Sequence, residues 1–268
     1  MSDRSSPIGV FDSGIGGLTV VREIIRQLPN ERIIYFGDTA RVPYGPKSPE
    51  TVLRYSREIS AYLGQQGVKA IVVACNTATA HALAALLAEL PFPVTGVVEP
   101  GARAAVKASR GGSVGVIGTT GTIASGAYER AIRSLRPGAE ITARACPLLV
   151  PLVEEGWLDT EATRLIAREY LAPLVESHID TLVLGCTHYP LLKPLLASIV
   201  GADVRLIDSA EETARETARM LDAADLRTTS KGPASHRFIA SDAPEQFLRL
   251  AQRFLGSSIE RVETVTLG

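Results

Sequence analysis

Two stretches constrain this chain more than any others: Ala70-Ile71-Val72-Val73-Ala74-Cys75-Asn76-Thr77-Ala78-Thr79 and Leu182-Val183-Leu184-Gly185-Cys186-Thr187-His188-Tyr189-Pro190. In each, a run of β-formers stops at a cysteine, turns polar and opens into an apolar helical pattern. Such a strand-to-helix unit belongs to α/β folds, in which ligands gather at the carboxyl ends of the strands. Each cysteine is therefore expected at a strand end that faces a ligand. A second pair of segments, Ile8-Gly9-Val10-Phe11-Asp12-Ser13-Gly14 and Val114-Gly115-Val116-Ile117-Gly118-Thr119-Thr120, repeats the theme of a short strand entering small and hydroxyl residues. The separation of this pair is close to that of the cysteine pair, which argues for an internal duplication.

With 268 residues the chain can build one large or two modest α/β domains. Its 28 basic and 29 acidic residues are interspersed and leave a net charge of −1. That balance carries no electrostatic footprint for nucleic acid or an anionic membrane, so the expected partner is a small molecule. No apolar run approaches the ~20 residues that span a bilayer. The opening Met1-Ser2-Asp3-Arg4-Ser5-Ser6 lacks a hydrophobic signal region, and the expected location is cytoplasmic. Three cysteines, an odd count, do not suggest a disulfide framework. Cys146, within Arg144-Ala145-Cys146-Pro147-Leu148, reads as a structural thiol. Cys75 and Cys186 stand beside Asn76, Thr77, Thr187 and His188, which is poor company for an inert core residue.

In chain order, strand 8–11 leads through Asp12-Ser13-Gly14-Ile15-Gly16-Gly17 to a helix with Leu18, Val21, Ile25 and Leu28 on one face. The loop lacks the Gly-Lys-Ser/Thr of a P-loop but suits a carboxylate equally well. Asp12 could also be a simple helix cap. Strand 32–36 precedes Gly37-Asp38-Thr39-Ala40-Arg41-Val42-Pro43-Tyr44-Gly45-Pro46, a loop of turn formers whose Tyr44 invites either a binding or a packing role. Ser48-Pro49 begins the next helix. Val94 to Val98 is expected to be a strand, with Glu99-Pro100-Gly101 crossing into a second lobe. That lobe holds strands at 114–117, 141–144, 181–184 and 204–207. A helix from Ser209 begins the return to the first lobe, and the tail offers a strand at 237–240, a helix at 244–255 and a last strand at 262–267. The expected architecture is α/β, two pseudo-symmetric lobes, each a mostly parallel sheet flanked by helices, with the site in the cleft between them. The first lobe comprises residues 1–98 and 210–268, the second 99–209. His81, His178 and His236 lie in ordinary helix or loop contexts.

Paired thiols suit one demanding task, moving a proton on or off either face of a single carbon. The α-proton of an amino acid is very weakly acidic, whereas a thiol has an ordinary pKa of ~8.5, so the site must stabilise the carbanion as it forms. No lysine sits in a setting that would hold pyridoxal phosphate. Without a cofactor, hydrogen-bond donors such as Asn76, Thr77, Thr119, Thr122 and Thr187 must hold the substrate carboxylate. Each thiol also needs a proton partner. His188 is placed to serve Cys186, and Asp12 to serve Cys75 from the neighbouring strand.

The segments Phe11-Asp12-Ser13-Gly14-Ile15-Gly16-Gly17-Leu18, Gly37 to Gly45, Cys75-Asn76-Thr77-Ala78 and Leu184 to Pro190, in this order and spacing, resemble the glutamate racemases of the aspartate/glutamate racemase superfamily. The likeness runs from residue 8 to about 210. It implies a racemase without cofactor or metal that interconverts L- and D-glutamate and supplies D-glutamate to peptidoglycan. By this resemblance Cys75 and Cys186 are the two bases, assisted by Asp12, His188 and Glu154. Asp12, Ser13, Pro43, Tyr44, Gly45, Asn76, Thr77, Thr119, Thr122, Thr187 and His188 would hold glutamate. A homodimer is left open. Rival readings are a zinc site of Cys75, Cys146, Cys186 and His188, a thiol–disulfide redox protein, a decarboxylase, isomerase or aspartate racemase of the same superfamily, and a binding module for acidic ligands. The Cys-x-x-Cys pair typical of the first two is absent.

Overall fold

Residues 3–257 and 259–267 are described by the structure, a computed structural model. The strands are β1 (Ile8–Asp12), β2 (Ile33–Gly37), β3 (Ala70–Val73), β4 (Val94–Gly96), β5 (Ser113–Gly118), β6 (Glu140–Ala145), β7 (Thr181–Gly185), β8 (Arg205–Asp208), β9 (His236–Ala240) and β10 (Glu263–Thr264). The helices are α1 (Leu18–Gln27), α2 (Pro49–Gln65), α3 (Asn76–Glu89), α4 (Val98–Ala108), α5 (Thr120–Ala124), α6 (Ala127–Leu135), α7 (Leu149–Glu154), α8 (Glu161–Glu176), α9 (Lys193–Val200), α10 (Ser209–Ala223) and α11 (Pro244–Leu255).

The strands form two parallel sheets, ordered β10-β9-β2-β1-β3-β4 and β6-β5-β7-β8. Within the first, β2-β1-β3-β4 has the same order as the whole of the second, so the repeat visible in the sequence recurs as a repeat of strand order. Parallel sheets need helices on both faces, and β1, β2, β3 and β7 are accordingly buried along their whole length and apolar except at ends such as Asp12 and Thr181. In both sheets the winding reverses beside the first strand of the repeat, where α/β folds open a crevice at the carboxyl ends of the strands. Cys75 follows β3 and Cys186 follows β7, so both thiols stand at these reversals.

Local chemistry fixes the helix starts. Ser48 Oγ accepts from Thr51 N at 3.3 Å with Pro49 as first helical residue, and Thr160 Oγ1 accepts from Thr163 N at 3.2 Å. Cys75 itself caps α3, its sulfur accepting from Ala78 N at 3.4 Å. Among the described residues, no helix is long and apolar enough to cross a membrane.

Three sequence expectations require correction. The strand expected at 94–98 ends at Gly96, and Glu99-Pro100-Gly101 is the first turn of α4 rather than an irregular crossing. Pro100 is tolerated there because first-turn amides have no intrahelical acceptor. At Gly101 a Cβ would come within 3.2 Å of both Ser209 and Tyr128, a tight contact that a glycine avoids. The hydroxyl-rich Gly118-Thr119-Thr120-Gly121-Thr122 and the stop at Arg136-Pro137-Gly138 predict one helix between them, but it is broken into α5 and α6 by Gly126 at φ +64°. The last strand, expected over 262–267, contracts to Glu263–Thr264 at the sheet edge.

Candidate active site

A cavity of about 410 Å³ lies where the carboxyl ends of the two sheets meet. Ser13, Pro43, Tyr44, Gly45, Asn76 and Thr77 line it from the first sheet's loops; Thr119, Glu154, Thr187 and His188 line it from the second's. Cys75 and Cys186 both open into it. The sequence had not marked its apolar walls, Val42, Pro46, Pro147, Val150 and Pro151, which read as turn and helix residues until the fold gathers them.

The two thiols have different partners. Cys75 donates to Ser13 Oγ at 3.7 Å while accepting from Ala78 N. Burial, reinforced by the nearby Asp12 carboxylate, pushes this thiol up to about 12, so it rests protonated. Asp12 reaches it because β1 and β3 are paired neighbours, Phe11 opposite Val73. The loop after Asp12 doubles back, and Gly17 N donates to Asp12 Oδ2 at 2.9 Å. Oδ1 is buried without a hydrogen-bond partner. Burial raises the Asp12 pKa, opposed chiefly by the charge of His188.

On the other side, Cys186 Sγ lies 3.9 Å from His188 Nδ1, and His188 Nε2 lies 2.9 Å from Glu154 Oε1. Burial alone would strip the proton from this imidazole. The sulfur and the carboxylate more than offset it and carry its pKa to about 10. The folded state thus binds this proton more tightly than the unfolded chain does. The resulting stability is complete below the ordinary value of 6.5 and is lost as the pH climbs through about 10. Thermal denaturation across that window should show falling stability in the wild type and a flatter profile in His188→Asn.

The C-terminal segment, which carried little sequence signal, completes this dyad. Phe254 packs edge-on against His188 with ring centroids 5.2 Å apart. Arg253 Nη1 donates to the carbonyls of Val153 at 3.0 Å and Glu154 at 2.8 Å, pinning the end of α7 that carries Glu154. From the first sheet, Gly16 comes so close that a Cβ there would lie 2.3 Å from Thr187 Oγ1 and 2.6 Å from His188 Nδ1. Only glycine fits at that contact.

Polar donors surround the cavity. Asn76 Oδ1 accepts from Tyr128 OH at 2.7 Å, leaving Nδ2 buried without a protein partner. Thr77 Oγ1 meets Thr119 Oγ1 at 2.8 Å and Thr122 Oγ1 at 3.1 Å, tying the two halves together. Two residues that the resemblance assigned to substrate contact lie elsewhere: Asp12 sits behind Cys75, and Thr122 behind Thr77 and Thr119, each 1% exposed and neither on the cavity wall. Asp12 is held back by the Gly17 amide, and Thr122 by its hydroxyl cluster. Cys146 is fully buried and does not line the cavity. Among the described residues, no three His, Cys, Asp or Glu side chains converge as a metal site.

Residues 8–217 match the Asp/Glu/Hydantoin racemase family. The chain is 56% identical to the glutamate racemase of Geobacter metallireducens over 260 residues, 97% of this chain and 96% of that one. Its fold superposes on the glutamate racemase isoform RacE1 of Bacillus anthracis with a TM-score of 0.95, at 46% identity and 98% coverage of both chains. The glutamate racemase of Francisella tularensis, solved in complex with D-glutamate, gives a TM-score of 0.92 at 39% identity, again covering 98% of both chains. Sequence over nearly the full length and strand order around the paired thiols agree: the chain belongs to the Asp/Glu/Hydantoin racemase family, among its glutamate racemases.

Proposed function

We propose that the chain interconverts L- and D-glutamate through two thiols, one removing the α-proton while the other donates from the opposite face. The observation that carries this reading is that Cys75 and Cys186, distant in sequence and on different sheets, open into one cavity with different proton partners. With the proton of one dyad resting on His188 and Cys75 protonated, the Cα–H proton passes to the Cys186 sulfur as the Cys75 S–H gives its proton to the same carbon. The enzyme is left with Cys186 as thiol and Cys75 as thiolate, which is the arrangement for the reverse reaction. Asp12 returns the proton on the Cys75 side, and His188, steadied by Glu154, on the Cys186 side.

Asn76 Nδ2, the threonine hydroxyls of the wall and Ser13 stabilise the carboxylate as negative charge spreads onto it from Cα. The apolar walls exclude water and strengthen these interactions. We read residues 1–98 with 210–268 and residues 99–209 as two lobes that close over glutamate. D-Glutamate made here would supply peptidoglycan synthesis from the cytoplasm. The D-glutamate complex of the Francisella tularensis relative supports the choice of substrate.

The test is direct. Purified, reduced protein given pure L- or pure D-glutamate, with no cofactor added, should bring either to a racemic mixture, followed by circular dichroism. An unchanged signal from both enantiomers would contradict the assignment.

A further inference from the structure

One wall of the cavity, residues 42–46, is fastened by a buried carboxylate that the proton chemistry does not use. Asp38 is wholly inaccessible and accepts from Ser241 Oγ at 2.9 Å, Arg41 Nε at 2.7 Å and the Tyr44 hydroxyl. Arg41 is itself fixed, paired with Glu58 and stacked 4.0 Å above the Tyr55 ring, which lies 5.7 Å from that of Tyr44. Ser241 comes from the end of β9. Its amide donates to Gly37 O at 3.0 Å and its hydroxyl accepts from Ala40 N at 2.9 Å. The tail of the chain thus buttresses the opposite end of the loop through a single acid.

This arrangement changes what Tyr44 offers to a ligand. Its ring is 1% exposed and its hydroxyl is committed to Asp38, so its phenol is not free to bind substrate. The carbonyls of Tyr44 and Gly45 are also occupied, by Lys47 N at 3.0 Å and Gly121 N at 2.8 Å. The amides of Tyr44 and Gly45 have no partner among the described residues, although both residues line the cavity. Gly45 packs so tightly that a Cβ would fall 2.9 Å from Thr119 Cβ, so this main chain has little freedom to shift. Two adjacent unpaired amides on a fixed turn can receive an anion.

We propose that Asp38, buttressed by Ser241, is a positioning residue that holds the Tyr44–Gly45 amides as a cradle for a carboxylate of the substrate. The proposal rests on the racemase reading above. Asp38 touches neither thiol dyad, so its work is done on substrate binding. In Asp38→Asn the charge facing Arg41 is lost, and the amide NH2 meets either Ser241 Oγ or the Arg41–Tyr44 pair, so the loop would be held less firmly on its mark.

The experiment compares steady-state constants for both glutamate enantiomers in wild type, Asp38→Asn, Tyr44→Phe, the double variant, Ser241→Ala and Ser241→Thr. Loss of a charge-assisted hydrogen bond predicts that Asp38→Asn raises KM about ten- to hundredfold while kcat stays within about threefold. Tyr44→Phe added to Asp38→Asn should cost less than about a further twofold, because both act through one contact. Ser241→Ala should raise KM about three- to tenfold, and Ser241→Thr, which keeps the hydroxyl, should restore it. Wild-type KM in Asp38→Asn, loss falling on kcat alone, or effects of Asp38→Asn and Tyr44→Phe that multiply would each overturn the proposal. If Asp38→Asn does not fold, the Ser241 pair decides by the same criterion. A wild type that does not racemise glutamate would instead refute the function; a wild type that turns over alongside variants of normal KM refutes only the cradle.

Discussion

Cys75→Ala and Cys186→Ala are each expected to lower kcat/KM for glutamate racemisation by at least about 10³-fold, in both directions. Each substitution removes one of the two sulfurs that, among the described residues, face the cavity, and neither neighbour can replace it. Ser13 lies 3.7 Å from Cys75 and offers only a weakly acidic hydroxyl; His188 stands beside Cys186 with its far nitrogen held by Glu154. A racemase needs both faces served, so losing the donor is as damaging as losing the base. Cys146→Ala is the control. That thiol is as buried as its counterparts but off the cavity wall, so the change should cost some stability through a small void and leave kcat within about threefold. Steady-state rates of the three variants, with melting temperatures alongside, make the comparison. Full activity in either cavity-facing variant would remove that cysteine from the mechanism.

Asp12→Asn carries the second large effect, with opposite signs on activity and stability. A carboxylate whose pKa is raised by burial holds its proton more tightly folded than unfolded, so its ionisation at neutral pH destabilises the native state. The asparagine side chain keeps an oxygen for the Gly17 amide but brings no charge into the interior. Relief of that charge-burial penalty should raise Tm by a few degrees, at about 2–4 °C per kcal/mol for a chain of this size. Turnover should fall about 10²-fold, because Cys75 loses the group that takes and returns its proton. Calorimetry and kinetics on one preparation test both signs. A destabilised, inactive Asp12→Asn would show that the carboxylate serves the fold, whereas a stabilised, inactive one marks strain retained for function.

Much of the site was legible because its chemistry sits at strand ends. Cys75-Asn76-Thr77 and Cys186-Thr187-His188 break from apolar strands into polar residues within a single step, and a one-dimensional pattern records that break. The repeat itself recurs in the fold, as the shared strand order of β2-β1-β3-β4 and β6-β5-β7-β8. What stayed hidden depends on contacts between distant segments. Glu154 lies on a short helix with nothing local to mark it, so only the family resemblance pointed to it, and its place 2.9 Å from His188 comes from the fold. Arg253, Phe254 and Ser241 belong to a tail of ordinary amphipathic composition, and their roles arise from where that tail lands. Pro147, Val150 and Pro151 looked like helix and turn residues, yet they form an apolar wall. Asp12 and Thr122 show the converse: the resemblance assigned both to glutamate, but burial sets them one layer behind the cavity wall.

The measurement closest to the centre of this account is isotope exchange. Pure D-glutamate and pure L-glutamate, each turned over in D2O to low conversion, should give inverted product carrying deuterium at Cα, while recovered substrate retains protium, because each face has its own proton carrier. Deuterium washing into recovered substrate as fast as inversion proceeds would mean a single base serving both faces, and would contradict the division of labour between Cys75 and Cys186.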